Sequence, residues 1–188
     1  MGCDQVHARE LLIKLKNKYP IEISRDIIKA KQWLKEKARG TERIGIVASS
    51  GGYRLKPYGI NPRVKIDAKN WFLNSKDDVR SSFYLEDVAT EFDIQGLELD
   101  WVCVAWDADL RYQNGQWNFK KFRGTKWQNV NNPEAILYLK NTYRVLLTRA
   151  RQGMVIFIPR GDDSDTTRRS CYYDGTFNYL KNIGFECI

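Results

Sequence analysis

The apolar positions change period several times along the chain, and each change marks an element. Residues 5–19 carry Leu11, Leu12 and Leu15 at helical spacing with lysines between them, and Pro20 stops that helix. Ile21–Ile23 reads as a short extended piece. Ser24 or Asp26 then caps a helix in which Ile27, Ile28, Lys31 and Leu34 divide into apolar and basic faces, and Gly40 closes it. Arg43–Ala48 predicts a short apolar strand that runs into a small-residue loop, Ser49-Ser-Gly-Gly-Tyr-Arg54. The period fails from 56 to 82, where Pro57, Gly59, Asn61 and Pro62 mark turns. Trp71, Phe72 and Leu73 are expected to plug that segment into the core.

Val88–Thr90 reads as a strand end, followed by a tight turn at Gly96. Trp101-Val-Cys-Val-Ala-Trp106 is apolar without alternation, which predicts a central parallel strand covered on both faces. Residues 109–123 predict a β-hairpin, Leu110–Gln113 and Gln116–Phe119 flanking Asn114-Gly115, a type I′ turn signal. Asn131-Asn-Pro-Glu134 opens the next helix, with an asparagine cap and Pro133 at its first position. Ile136, Leu139, Tyr143, Leu146, Leu147 and Ala150 share one face of it, Gly153 is its stop, and Met154–Ile158 is a strand. A charged loop at 162–169, expected to be solvated, precedes a last helix over 172–183 with Phe177 and Leu180 inward and Gly184 at its end. This alternation predicts an α/β fold, a three-layer sandwich on a mostly parallel sheet with a β-hairpin insertion at about 109–127. Residues 1–39 are expected to be N-terminal helices packing on or linking to a domain over 40–188.

Composition changes the picture modestly. The 188 residues suit one domain with a full core. No apolar run approaches the ~20 residues of a membrane span, and the N-terminus lacks a signal-peptide core. Cys3, Cys103, Cys171 and Cys187 form no Cys-x-x-Cys pair and His7 is the single histidine, so no metal site is expected and free thiols in a reducing cytoplasm are. Cys103, in the apolar run, reads as a small hydrophobe. The formal charge of +8, from 31 basic and 23 acidic residues, is compatible with a polyanionic partner, although lysines on solvated helix faces would give the same sum.

Three places carry candidate chemistry. Arg149 and Arg151 stand where the last long helix turns into a strand; such an edge of an open α/β sheet is where phosphates are expected. The planar guanidinium suits transition-state charge on a γ-phosphate, whereas a basic helix end also simply complements the helix dipole. The 49–54 loop either cradles an anion or only turns the chain, and Arg54 is a candidate phosphate contact. The hairpin combines Lys120, Lys121, Arg123 and Lys126 with Trp117, Phe119 and Trp127, a basic and aromatic set that either stacks on bases or protects a self-packed edge. No Gly-x-x-x-x-Gly-Lys-Ser/Thr loop occurs in the sequence.

Arg144-Val-Leu-Leu-Thr-Arg-Ala-Arg151 resembles the last conserved motif of superfamily 1 helicases, whose Thr-Arg-Ala carries an arginine finger. Thr90-Glu-Phe-Asp-Ile-Gln-Gly-Leu-Glu-Leu-Asp100 resembles the motif that precedes it in those proteins. Over residues 40 to 160 the chain is similar to the second RecA-like domain of such a helicase, and most similar to an uncharacterised bacterial group of helicase-like P-loop proteins. That group carries a comparable aromatic-basic insertion and a tail like Tyr172-Tyr-Asp174. The resemblance implies catalytic roles for Arg149 and Gln95, and nucleotide contacts for Gly96, Glu98 and Arg151. It also implies nucleic-acid contacts at Thr90, Arg54, Lys120, Lys121 and Trp117. ATP with Mg²⁺ would be bound mainly by an N-terminal RecA-like domain in the same parent chain or in trans, with DNA or RNA as partner. Neither the Walker A lysine nor the arginine motif of the domain junction has a counterpart in 1–188, so the chain is expected to be a fragment inactive as an ATPase alone. Two other functions fit the residues: a nucleic-acid-binding module without NTPase chemistry, and a metal-dependent nuclease using Asp107, Asp109 and Glu98.

Overall fold

A computed structural model gives the fold over residues 5–15 and 18–188. Its strands are β1 (Ile21–Ser24), β2 (Ile44–Ala48), β3 (Val88–Thr90), β4 (Leu99–Ala105), β5 (Leu110–Gln113), β6 (Gln116–Arg123), β7 (Lys126–Asn129), β8 (Ala150–Phe157) and β9 (Glu186–Cys187). Its helices are α1 (Gln5–Leu15), α2 (Ile27–Lys37), α3 (Ala68–Leu73), α4 (Pro133–Leu146) and α5 (Asp174–Ile183). Six strands form one sheet in the order β3-β2-β4-β8-β1-β9, every pairing parallel, and β5-β6-β7 form a separate antiparallel sheet.

The unbroken apolar runs of β2 and β4 reflect burial on both faces. Ile44, Ile46, Trp101 and Cys103 pack under Ala30, Trp33 and Leu34 of α2. On the opposite face Val47, Val102 and Val104 meet Tyr143 and Leu146 of α4, with Leu180 and Ile183 of α5 in the same cluster. Helices on both faces make the three layers that the alternation of elements predicts. Trp71 of α3 fills the space above Gly45, where a Cβ would sit 2.8 Å from the indole, while Phe72 is half-buried and Leu73 is exposed.

Several local expectations change. The capping residue of α2 is Asp26, whose carboxylate accepts from Ile28 N at 2.8 Å and Lys29 N at 3.3 Å. The 1–39 segment supplies an interior strand as well as helices, because β1 lies between β8 and β9. On α1, Leu12 is buried but Leu11 and Leu15 are exposed; residues 16–17 of the expected 5–19 helix lie outside the described residues, as does Cys3. The long helix ends at Leu146, and β8 begins at Ala150 rather than at Met154. Gly153 is therefore no helix stop. It lies inside β8, where an added Cβ would be 2.7 Å from Pro20 O and 2.8 Å from the Trp101 ring. Gly184 does end α5, at φ +117°.

The hairpin turn is as expected, Asn114 and Gly115 having φ +53° and +78°. A third strand, β7, joins it through a turn at Gly124. One face of this small sheet packs on the body of the protein, with Trp117 against Trp106, Tyr112 and Tyr179. The other face is covered by the 162–173 segment: Trp127 donates to Thr167 O at 2.8 Å, and Tyr172 lies over the buried Arg111 guanidinium. The 162–169 loop is thus solvated along one side, with Asp163, Ser164, Thr166 and Arg169 exposed, and covers the small sheet with the other. Arg168 is tied to Asp162 and Asp165, and Arg54 joins it on Asp165 at 2.8 Å. Among the described residues no helix is long and apolar enough to cross a membrane.

Candidate functional site

The parallel sheet has two rims, and the chemistry-bearing residues divide between them. At the amino-terminal rim, the turn that ends in Gly96 enters β4 while the residues after α4 enter β8. Leu99 N donates to Arg149 O at 2.9 Å, and the Arg149 guanidinium reaches Leu97 O at 3.4 Å. The Gly96 turn and Arg149 therefore meet, although they belong to motifs far apart in sequence. Gly96 has φ +80°, a conformation that disfavours a side chain, and open space where a Cβ would project. Gln95, Gly96 and Glu98 are all exposed on this turn.

Arg149 is half-buried and held by neutral acceptors. Its Nε donates to Val145 O at 3.1 Å and its Nη2 to Thr148 Oγ1 at 3.2 Å. No ion pair among the described residues includes it, and a guanidinium has five donors, so charge and hydrogen-bonding capacity remain for an anion. Arg151 is exposed as the second residue of β8. Glu42, Trp101 and Gln152 stiffen the same rim. Glu42 accepts from Gln152 Nε2 at 2.8 Å, Trp101 Nε1 at 3.0 Å and Arg39 N at 3.0 Å, which hold its carboxyl down to about 2. These arginines lie at the rim opposite to the one where open α/β sheets usually bind phosphate. That corrects the edge expectation: the helix before β8 runs antiparallel to the strands, so its end is at their beginning.

The carboxyl-terminal rim collects the acids. Asp107 and Asp109 follow β4 and are almost completely buried. Asp107 accepts from Arg54 N at 2.9 Å, Ala108 N at 2.7 Å and Tyr173 Oη at 3.0 Å. Asp109 accepts from Tyr143 Oη at 2.5 Å, Ser49 Oγ at 2.7 Å and Leu110 N at 3.0 Å. Burial, then the neighbouring Asp109 charge, pushes Asp107 up to about 7; burial likewise raises Asp109. Glu91, just after β3, accepts from Ser50 N at 2.8 Å and Ser50 Oγ at 2.7 Å. The amides of residues 50–54 are thus spent on the chain's own Glu91 and Asp107 carboxyls and on the loop's own oxygens rather than on an external anion.

A crevice of about 440 Å³ opens above these acids. Its floor includes Ser50, Glu91 and Asp109. One wall is the first turns of α4, from Asn132 to Thr142, and the other is the far end of β6 and β7 with Lys121, Arg123 and Gln128. Tyr138 and Thr142 were not evident from sequence as members of a site. Their signal is a tyrosine and a threonine one helical turn apart on a helix otherwise read for its apolar face.

The remaining candidates fare differently. Thr90 ends β3 at the carboxyl rim, but it is buried and both its N–H and its hydroxyl donate to Asp93. Arg54 has its charge matched by Asp165. Lys121 is exposed beside the crevice, whereas Lys120 is half-buried and bonded to Asn129. Trp117 is half-buried and packed against three aromatic rings. Cys103 is buried, its thiol pushed up to about 12 by burial, as befits a small core residue. Glu98 precedes β4 and Asp107 follows it, so about 20 Å of strand separates the acids expected to share a nuclease metal. Among the described residues no group of three or more His, Cys, Asp or Glu could hold a metal ion.

No curated protein and no solved structure matches the chain. A family model does, that of the Schlafen group 3 DNA/RNA helicase domain, over residues 3–160. The match includes both rims and the crevice, and on it this chain belongs to the Schlafen group 3 helicase-domain family.

Proposed function

We propose that this chain is the second, C-terminal RecA-like half of an ATP-dependent DNA or RNA helicase or translocase, akin to the bacterial helicase-like proteins it resembles. The observation that carries the reading is the meeting of the Gly96 turn with Arg149, whose contact at Leu97 O spans 52 residues of sequence. Arg149 stabilises charge on the transferred phosphoryl group, with Arg151 as a second cation. Gln95 reaches toward the phosphate or the arginine, and Gly96 and Glu98 line the nucleotide. The residues fit such a ligand: a guanidinium with no acid partner among the described residues stands beside an exposed turn with no side chain at its apex. ATP with Mg²⁺, held mainly by a Walker A-bearing RecA-like domain joined in the same chain or in trans, supplies the free energy of cleft closure.

Two elements connect the rims. The 14 residues of α4 run about 21 Å from the crevice to the approach to Arg149, and residues 91–98 return from the end of β3 to the start of β4. Closure against the amino rim can thereby reach nucleic acid at the carboxyl rim, where Lys121 and Arg123 stand beside the crevice. The test is ATP turnover by the 188-residue chain before and after it is joined to a Walker A-bearing domain. The expected result is none above the blank for the chain alone and nucleic-acid-stimulated turnover once joined. Turnover by the chain alone sinks the reading. The same cations support a second reading, a nucleic-acid-binding module without NTPase chemistry, which predicts binding but no turnover after joining.

A further inference from the structure

The crevice at the carboxyl rim has a polarity that neither the arginine rim nor a generic basic patch explains. Its floor is acidic and its lip is basic. Glu91 is 8% exposed. Its Oε1 accepts from Ser50 Oγ, Thr142 Oγ1 and, at 3.5 Å, Tyr138 Oη, whereas Oε2 accepts from Ser50 N at 2.8 Å. A carboxylate oxygen accepts two hydrogen bonds, so Oε2, which receives Ser50 N alone among the described residues, keeps capacity for one more on a residue that lines the crevice. Lys121 and Arg123, at the far end of the small sheet, form no ion pair among the described residues. Tyr138, which lines the crevice, is 51% exposed, and Phe92, 61% exposed, lies beside it with ring centroids 6.4 Å apart.

A phosphate is attracted by that lip and repelled by that floor. A neutral, planar, amino-bearing ring is accepted by the floor and by the aromatic mouth. The volume of about 440 Å³ lies in the range of small-ligand sites. We propose that the crevice receives one unstacked base of a single-stranded nucleic acid. The flanking phosphates lie on Lys121 and Arg123, the base stacks on Tyr138, and its exocyclic amino group donates to Glu91. Acidic side chains accept from the cytosine amino group in this way, whereas thymine and uracil have no amino group and their one ring donor, N3–H, lies between two carbonyl oxygens that a carboxylate repels. The inference rests on the reading of this rim as the nucleic-acid side, and it adds a preference for amino-bearing bases.

The experiment is fluorescence anisotropy with the 188-residue chain and labelled single strands of about twelve nucleotides, of cytosine, adenine, thymine or abasic residues. Cytosine and adenine strands are expected to bind about tenfold more tightly than thymine strands, and abasic strands most weakly. Glu91→Gln is expected to remove the cytosine-over-thymine ratio while leaving the salt dependence intact, with melting temperature checking its fold. Exposed Tyr138→Ala is expected to weaken base-bearing strands about tenfold and leave the abasic strand unchanged. Equal affinity for all four strands, or variants that do not alter the ratios, overturns the base pocket while leaving nucleic-acid binding in place. No binding to any strand at low salt overturns both.

Discussion

Asp107 and Asp109 stand two residues apart beyond β4, both nearly out of water, and each is bonded to a tyrosine hydroxyl that stays protonated at neutral pH. Their arrangement sets a pH dependence whose sign follows from the shift. A carboxyl raised from 3.8 to about 7 binds its proton more tightly in the folded chain than in the unfolded one. Its contribution to stability is greatest below about pH 4, declines as pH rises toward 7 and is constant above. Glu42, held down to about 2, acts in a separate window, its stabilisation being lost as pH falls below about 4. Asp107→Asn should therefore flatten the decline in melting temperature between about pH 4 and about pH 7. A variant whose profile keeps the wild-type slope would show that Asp107 does not hold this proton.

Among elements, β8 is the most instructive. Gly153→Ala should cost on the order of 1–3 kcal/mol, because the new methyl group would meet Pro20 O at 2.7 Å and the Trp101 ring at 2.8 Å. At about 2–4 °C per kcal/mol that loss is measurable by thermal unfolding, and an unchanged melting temperature would refute the close packing. Gly96→Ala should be milder, about 1–2 kcal/mol, because only its positive φ resists a side chain. Gly153 shows why part of the fold is legible in sequence and part is not. The unbroken apolar run of β4, the Asn114-Gly115 turn and the Asn132-Pro133 helix start are local signals, and each appears where its pattern predicts. Thr148–Arg151 carries no local preference strong enough to separate helix from strand; the pairing of Leu99 with Ala150 decides it. Gly153 reads as a stop because its neighbours, Pro20 and Trp101, are remote in sequence. β7 is mostly exposed and alternates weakly, so no apolar period betrays it. The crevice leaves no sequence signal for the same reason: α4, β6, β7 and the loop after β2 meet only in the folded chain.

At the scale of the whole molecule, one sheet separates an arginine rim from an acid-floored crevice, and α4 reaches both. The family match establishes a helicase-like domain. The proposal gives each rim a task, nucleotide on one side and a single strand on the other. In the proposed function Arg149 acts on the phosphoryl group rather than capping a helix end. The direct measurement is steady-state ATP turnover, with saturating single-stranded nucleic acid, of this chain joined to a Walker A-bearing domain, wild type against Arg149→Ala. Arginine fingers contribute factors of about 10³ to 10⁵, so the variant should lose at least ~10³ in kcat while its melting temperature stays within a few degrees. Turnover within a few-fold of wild type in a folded Arg149→Ala variant would contradict the account.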